Sequence, residues 1–249
     1  MSPAEIALMA EVEDHHFWYR GLRELLLMVL APRLPARPRI LDAGCGTGAN
    51  LRALGEALDP SYLGGFDLSE EALRWARAKA PRADLYRSDI RDPELRATGL
   101  DLVLSTDVLY VPGADAALPG LERLVSALAP GGVLLLHLPA YDWLYSEHDV
   151  AVHTTERYTA RRVRRLLERL GLRIELLSYR LCALFPLIVA HRLPRLASRH
   201  RRAGAARSDL RAKLPPRLEA LFGAVVSAEN RLVARGVPLP WGSSVFALG

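Results

Sequence analysis

Two cysteines, Cys45 and Cys182, in 249 residues exclude a disulfide framework and a cysteine-based metal site. Long apolar runs are missing as well. The longest strongly apolar stretch, LCALFPLIVA from Leu181 to Ala190, has ten residues, against the roughly 20 needed to cross a bilayer. The opening MSPAEIALMAEVED is acidic and lacks the basic-then-apolar order of a signal peptide. A cytoplasmic protein is the expectation. Lysine is scarce, two residues against 31 arginines. No repeats and no low-complexity tract appear, and no cluster of side chains suggests a metal site. What the chain does have is an even balance: half of its residues are hydrophobic and 24% are charged. That fits one globular domain carrying a sizeable insertion.

Charge is unevenly spread. Between His191 and Arg217 lie nine basic residues and one acid, Asp209, so this segment is +8 while the rest of the +5 chain is −3. Ahead of it, residues 2–30 read as helical, with Leu22, Leu25, Leu26 and Val29 on one face. The proline-rich APRLPARP (31–38) ends that helix. Strands and helices then alternate: RILDAG, ANLRALGEAL, YLGGFDL, SEEALRWARAKA, ADLYRSD, DLVLSTDVL, ADAALPGLERLVSAL, VLLLHL. Near-continuous apolar strands separated by helices predict a doubly wound, mostly parallel α/β sheet covered on both faces. A sixth strand, LRIELLSY, and a seventh, SSVFAL (243–248), are separated by more than 60 residues. The expected organisation is a single domain over 1–249: an N-terminal helical lid (1–38), a cofactor-binding core (39–180), a helical basic cap (181–240) and the last strand (241–249).

The chemistry starts at RILDAGCGTGANL. Gly44, Gly46 and Ala49 satisfy a dinucleotide fingerprint, and Asp42, Gly44, Gly46 and Gly48 satisfy D-x-G-x-G-x-G. Both loops follow a strand and open a helix, so a ligand is expected at the carboxyl end of the sheet. Asp42 separates the two readings. A carboxylate there repels a pyrophosphate but suits an amino acid bearing an ammonium and a sulfonium. Asp67 ends the second strand, where it is placed to accept hydrogen bonds from a ribose diol. Asp89 ends the third, where it is placed to accept an adenine amino group, with Ile90 against the ring.

LDAGCGTGANL, GFDLS, SDI, DLVLSTDVL and LAPGGVLLLHLP together resemble the ordered motifs of the class I S-adenosylmethionine-dependent methyltransferases, over about residues 39–139. HHFWYRGLRELL, LPAYDWLYSEHD, SYRLCALFP and LPWGSSVFAL resemble a narrower bacterial group within that class. The resemblance implies a Rossmann-like fold of seven strands, S-adenosylmethionine as cofactor and S-adenosylhomocysteine as product. The cofactor contacts expected are Asp42, Gly44, Cys45, Gly46, Gly48, Asp67, Leu68, Asp89, Ile90 and Thr106, with Trp18 and Arg23 from the N-terminal lid. The narrower group tends to have an acid and a histidine after DVL, where this chain has Tyr110 and Val111.

The acceptor is expected above the end of the fourth strand, beneath the N-terminal helix and the loop after strand five. That loop supplies the expected bases, His148 and His153, beside Tyr110. It also supplies the expected acceptor contacts Tyr141, Trp143, Arg157 and Tyr158. His137, inside the fifth strand, reads as a packed core residue, and His15 and His16 as surface or capping residues. Apolar and basic stretches adjoin within 181–217, as in a peripheral membrane contact. Residues 191–217 contain no aromatic residue to stack on bases, and STDVLY is not an Asn/Asp-Pro-Pro-aromatic clamp. Nucleic acid is not an expected substrate. Transfer to an oxygen of a small or amphiphilic acceptor is the reading, with N-methylation or a non-catalytic scaffold as alternatives.

Overall fold

The computed structural model describes residues 2–197 and 214–249, without the side chains of 147, 148 and 193–197. Most of the basic stretch, residues 198–213, lies outside the described residues.

Two helices open the chain, α1 (Pro3–Val12) and α2 (Phe17–Leu30). The sequence reading expected one. The break comes at His16, whose extended backbone and Nδ1, accepting from the Trp18 N–H at 3.2 Å, start a new helix. Then follow β1 (Arg39–Ala43), α3 (Ala49–Leu58), β2 (Tyr62–Asp67), α4 (Glu70–Lys79), β3 (Asp84–Arg87), β4 (Leu100–Thr106), α5 (Ala114–Ser126) and β5 (Leu128–Pro139). The loop after β5 is not featureless: a 3₁₀ turn (Asp142–Leu144) and a short helix α6 (Glu147–Ala151) lie within it. α7 (Ala160–Arg169), β6 (Leu176–Arg180), α8 (Phe185–Ala197), α9 (Pro216–Ala234) and β7 (Ser244–Leu248) complete the chain. Both described helices between β6 and β7 fall where a helical insertion is expected. No described helix is long and apolar enough to cross a membrane.

The seven strands form one sheet in the order β3-β2-β1-β4-β5-β7-β6. Neighbours from β3 to β5 are parallel, and β7 runs antiparallel to both β5 and β6. Successive side chains on a strand point to opposite faces, and both faces of this sheet are apolar. Ile40, Leu102, Leu104, Leu135 and Phe246 point to one side, where Leu25 and Leu26 of α2, Leu54 of α3 and Val233 of α9 cover them. Leu41, Val103, Leu134, Leu136 and Val245 point to the other, under Leu121 of α5 and Val163 and Leu167 of α7. Each fully buried leucine contributes about 1.5–3 kcal/mol. Chain direction reverses between β1 and β4, since β1 leads outward to β2 and β3 while β4 leads to β5. A doubly wound sheet opens its ligand crevice at that switch.

α5 comes so close to the turn after β3 that a Cβ on Gly120 would lie 1.8 Å from the Ile90 carbonyl oxygen. Gly223 of α9 has no such neighbour, its nearest being Phe17 Cβ at 4.0 Å. Urea unfolding should therefore separate the two. Gly120→Ala is expected to cost about 1–3 kcal/mol by overpacking, and Gly223→Ala to add about 0.5–1 kcal/mol through helix propensity. Equal midpoints for the two variants would contradict this packing.

Candidate functional site at the carboxyl edge of β1 and β4

The glycine loop turns sharply off β1. Gly44, Gly46 and Gly48 have φ of +89°, +53° and +84°, which side-chain-bearing residues adopt only with strain. Space demands two of them too. A Cβ on Gly44 would lie 2.3 Å from Val108 Cγ2, and one on Gly48 would lie 2.8 Å from Ala76 Cα. The Gly44 and Cys45 N–H groups both donate to the Phe66 carbonyl, at 2.8 and 2.9 Å. The loop is thus tied to β2 on one side and packed under β4 on the other.

Asp42 is fully buried, and neither carboxylate oxygen has a hydrogen-bond partner among the described residues. Burial, reinforced by the charge of Asp67, pushes its carboxyl up to about 8. Buried polar groups are nearly always satisfied, so this pair of orphaned oxygens fits a ligand that brings donors or positive charge. Asp67 is better supported: its Oδ2 accepts from the Gly46 N–H at 3.0 Å and its Oδ1 from the Ser69 N–H at 2.8 Å. Burial still raises its carboxyl, against those two bonds. Each oxygen keeps a second lone-pair direction, which is the capacity a diol requires.

Asp89 is already engaged. Its Oδ1 takes the Arg91 N–H at 2.9 Å and Nε at 3.0 Å, and its Oδ2 takes Nη2 at 2.5 Å. An adenine amino group has to displace part of that pairing. Ile90 is buried in the core under α5, and Cys45 packs with Leu51 and Leu73, its thiol pushed up by burial. Leu68 is half exposed. Thr106, at the end of β4, accepts through Oγ1 from Asn50 Nδ2 at 3.0 Å, joining β4 to the helix that follows the glycine loop.

The N-terminal segment lies across this edge. Met9 of α1 is the side chain nearest Gly46, with its Cε 3.6 Å from where a Cβ would be. Buried Glu13 anchors the segment: its Oε1 accepts from Thr47 Oγ1 at 2.5 Å and pairs with Lys79, while its carbonyl accepts from Arg23 Nη2 at 2.7 Å. Lys79 Nζ also donates to the Ala10 carbonyl at 2.9 Å. Trp18, expected as a cofactor contact, meets His137 edge-on, with ring centroids 5.5 Å apart. α2 carries it to the ends of β5 and β6.

Several expected acceptor residues turn out to be ties within the loop after β5. Tyr158 is 0% exposed, and its hydroxyl donates to the Leu109 carbonyl at 3.0 Å and bonds Glu156. Arg157 is 5% exposed, donating from Nε to the Ala140 carbonyl at 2.8 Å and from Nη1 to Asp149 at 2.5 Å. Both side chains are buried and bonded within the loop. Their sequence signal, polar side chains in a long loop, reflects the bonds a buried loop needs. His153 sits exposed in a turn, at φ +59°. The side chain of His148 lies outside the described residues. Tyr110 is 8% exposed beside the β4 end, its hydroxyl raised by burial, and its carbonyl accepts from Thr155 N at 2.7 Å. Tyr141 and Trp143 do come together, stacked with Tyr179 and against Phe185, and Trp143 is 48% exposed.

A polar chain that sequence reasoning missed runs behind the end of β4. Asp107, at φ +54° just past β4, accepts at Oδ2 from His137 Nδ1 at 2.8 Å, and its N–H donates to the His137 carbonyl at 2.8 Å. His137 Nε2 lies 3.0 Å from Arg180 Nη1. A guanidinium only donates, so Nε2 must carry the lone pair and Nδ1 the proton. Burial lowers the pKa of His137, and Arg180 adds to that while Asp107 opposes it, so the ring is neutral. Arg180 is 2% exposed, is brought down to about 10 by burial, and has Nε and Nη2 without hydrogen-bond partners among the described residues, its guanidinium lying 6.0 Å from the centroid of the Trp18 ring. Asp107 had a signal, as one more aspartate at a strand end. His137 and Arg180 had none, because strand order alone brings them together.

The folded protein holds the Asp42 proton far above its ordinary 3.8, so it binds more protons than the unfolded chain between about pH 4 and 8. Stability of the ligand-free protein therefore falls as pH rises through that window. Urea unfolding at pH 6, 7 and 8 should show wild type losing up to about 1.4 kcal/mol per pH unit relative to Asp42→Asn. Parallel curves would show that Asp42 is charged and compensated throughout.

A family model described as a methyltransferase domain matches residues 40–132. Trans-aconitate 2-methyltransferase of Variovorax paradoxus is 35% identical over 134 residues, 53% of this chain and 49% of that protein. Malonyl-[acyl-carrier protein] O-methyltransferase of Enterobacter lignolyticus is 32% identical over 143 residues, 57% and 55%. The chain thus spans about half the length of these curated relatives. The crystal structure of an S-adenosylmethionine-dependent methyltransferase from Mesorhizobium loti shares the fold, with a TM-score of 0.55 and 24% identity over 75% of this chain and 93% of that one. Strand order, glycine loop and matched domain agree: over residues 40–132 the chain is similar to methyltransferase domains, and its sheet has the fold of an S-adenosylmethionine-dependent methyltransferase.

Proposed function

We propose that this protein transfers a methyl group from S-adenosylmethionine to an oxygen of a small or amphiphilic acceptor. The observation that carries the cofactor part is Asp42, a buried, unpartnered carboxylate under a loop of three positive-φ glycines. Asp42 faces the ammonium of the cofactor, the glycine loop admits its backbone-hugging portion, and Asp67 accepts from the ribose hydroxyls. Asp89 takes the adenine amino group by exchanging part of its pairing with Arg91. The bound cofactor supplies a methyl carbon already activated by the adjacent sulfonium. The protein's own task is to orient the acceptor and keep water out. α1 does the second through the Glu13 anchor, which fastens it to Thr47 and Lys79.

The acceptor enters from the side of Tyr141 and Trp143. This stacked aromatic cluster continues into α8, where Leu187 is 58% exposed. Such a surface supports an acceptor with an apolar body, and residues 181–217 are the proposed membrane-facing side. The chain spans about half the length of the curated relatives, so their acceptors are not carried over.

Calorimetric titration tests the cofactor reading. Wild type should bind S-adenosylmethionine and S-adenosylhomocysteine but not NAD. Asp67→Ala should weaken both about tenfold to a hundredfold, the loss of one or two hydrogen bonds to a charged group. A folded wild type that binds neither would overturn the proposal.

A further inference from the structure

We propose that Asp107 is the acceptor-side base of this site, and that the acceptor attacks through a hydroxyl rather than a carboxylate oxygen. This rests on the proposed cofactor reading and narrows its acceptor class. Asp107 stands where the two halves of the sheet part. Its neighbour Val108 closes over Gly44, and Thr106 on its other side is bonded to Asn50 of the helix after the glycine loop. Its carboxylate is still 26% exposed, so an acceptor has access to it.

The groups behind Asp107 fix what it offers. Arg180 has only donors, which obliges His137 to present Nδ1–H to Asp107. His137 is fully buried and cannot rotate toward water, and the φ of +54° at Asp107 holds the carboxylate over the strand end. His137 and Arg180 are positioning residues: they orient the carboxylate without reaching the acceptor. The chain carries one negative charge at its open end and one positive charge sealed at its far end. An acceptor carboxylate placed there would meet a like charge a few ångströms away and be repelled. A hydroxyl meets a hydrogen-bond acceptor instead.

The step balances with the groups named. The hydroxyl proton passes to Asp107 while the oxygen's electron pair forms the bond to the methyl carbon. The carbon–sulfur pair returns to sulfur, leaving a neutral thioether and a methyl ether. Asp107 then releases the proton to solvent at its exposed edge.

The test needs no acceptor. Sinefungin carries an ammonium where the cofactor carries its transferable methyl, and S-adenosylhomocysteine has nothing there. Calorimetry at pH 7.5 should show wild type preferring sinefungin at least about tenfold, a single charge contact. In Asp107→Asn the preference should shrink to within about threefold, with S-adenosylhomocysteine affinity changed less than about threefold. An unchanged preference in a folded variant would overturn the proposal while leaving the cofactor reading intact. No binding of either compound to wild type would overturn both. Should Asp107→Asn fail to fold, nitrogen-15 NMR of histidine-labelled wild type decides. A neutral ring protonated at Nδ1 supports the chain, and that restriction should vanish in Arg180→Met. A ring protonated at Nε2 overturns it, as does methylation of trans-aconitate that Asp107→Asn accelerates.

Discussion

Val108 presses on the backbone of Gly44 so closely that no side chain fits between them, and this contact sets the spacing of β1 and β4 where they part. Much of the carboxyl edge follows from it. With Gly44 pinned from above and its N–H bonded to β2, the next residues must turn out of the sheet, which gives the loop its run of positive φ. The turn strands Asp42 beneath the loop with nothing to bond. The same contact holds Asp107, one residue before Val108, at the lip of the crevice.

Electrostatically the crevice is paid for by its surroundings. Asp42 and Asp67 repel one another, and burial raises both. Asp67 is offset by two backbone N–H groups, whereas Asp42 waits for a partner. Across the switch, Asp107 is bonded to His137, and the guanidinium of Arg180 lies sealed behind that ring. Both halves of the crevice thus present a carboxylate to a ligand, one beneath the glycine loop and one at the end of β4.

The fold was largely legible in the sequence because apolar strands alternate with amphipathic helices at regular spacing. The glycine loop, Asp67 and Asp89 were legible for the same reason, since strand ends mark the ligand edge of a parallel sheet. What was not legible depends on non-local pairing. Arg157 and Tyr158 look like site residues in a list of polar side chains, yet burial turns them into fasteners of their own loop. His137 looks like core and is indeed fully buried, but it sits in a hydrogen-bonded chain whose other members come from β4 and β6. The helix break at His16 hinged on a capping bond that periodicity does not register.

The antiparallel strand β7 lies between β5 and β6, although more than 60 residues separate it from β6. His137 pairs with Phe246 and Arg180 with Ser244, so the two polar residues meet only across a strand that is made last. On the ribosome, β1 to β4 and the glycine loop are available long before residues 244–248 emerge. The glycine-loop half of the crevice is thus able to form early, while the half holding Asp107, His137 and Arg180 is assembled only when the sheet closes. On the proposed reading, a nascent or truncated chain with an organised glycine loop would have no oriented Asp107, and would bind cofactor without reacting.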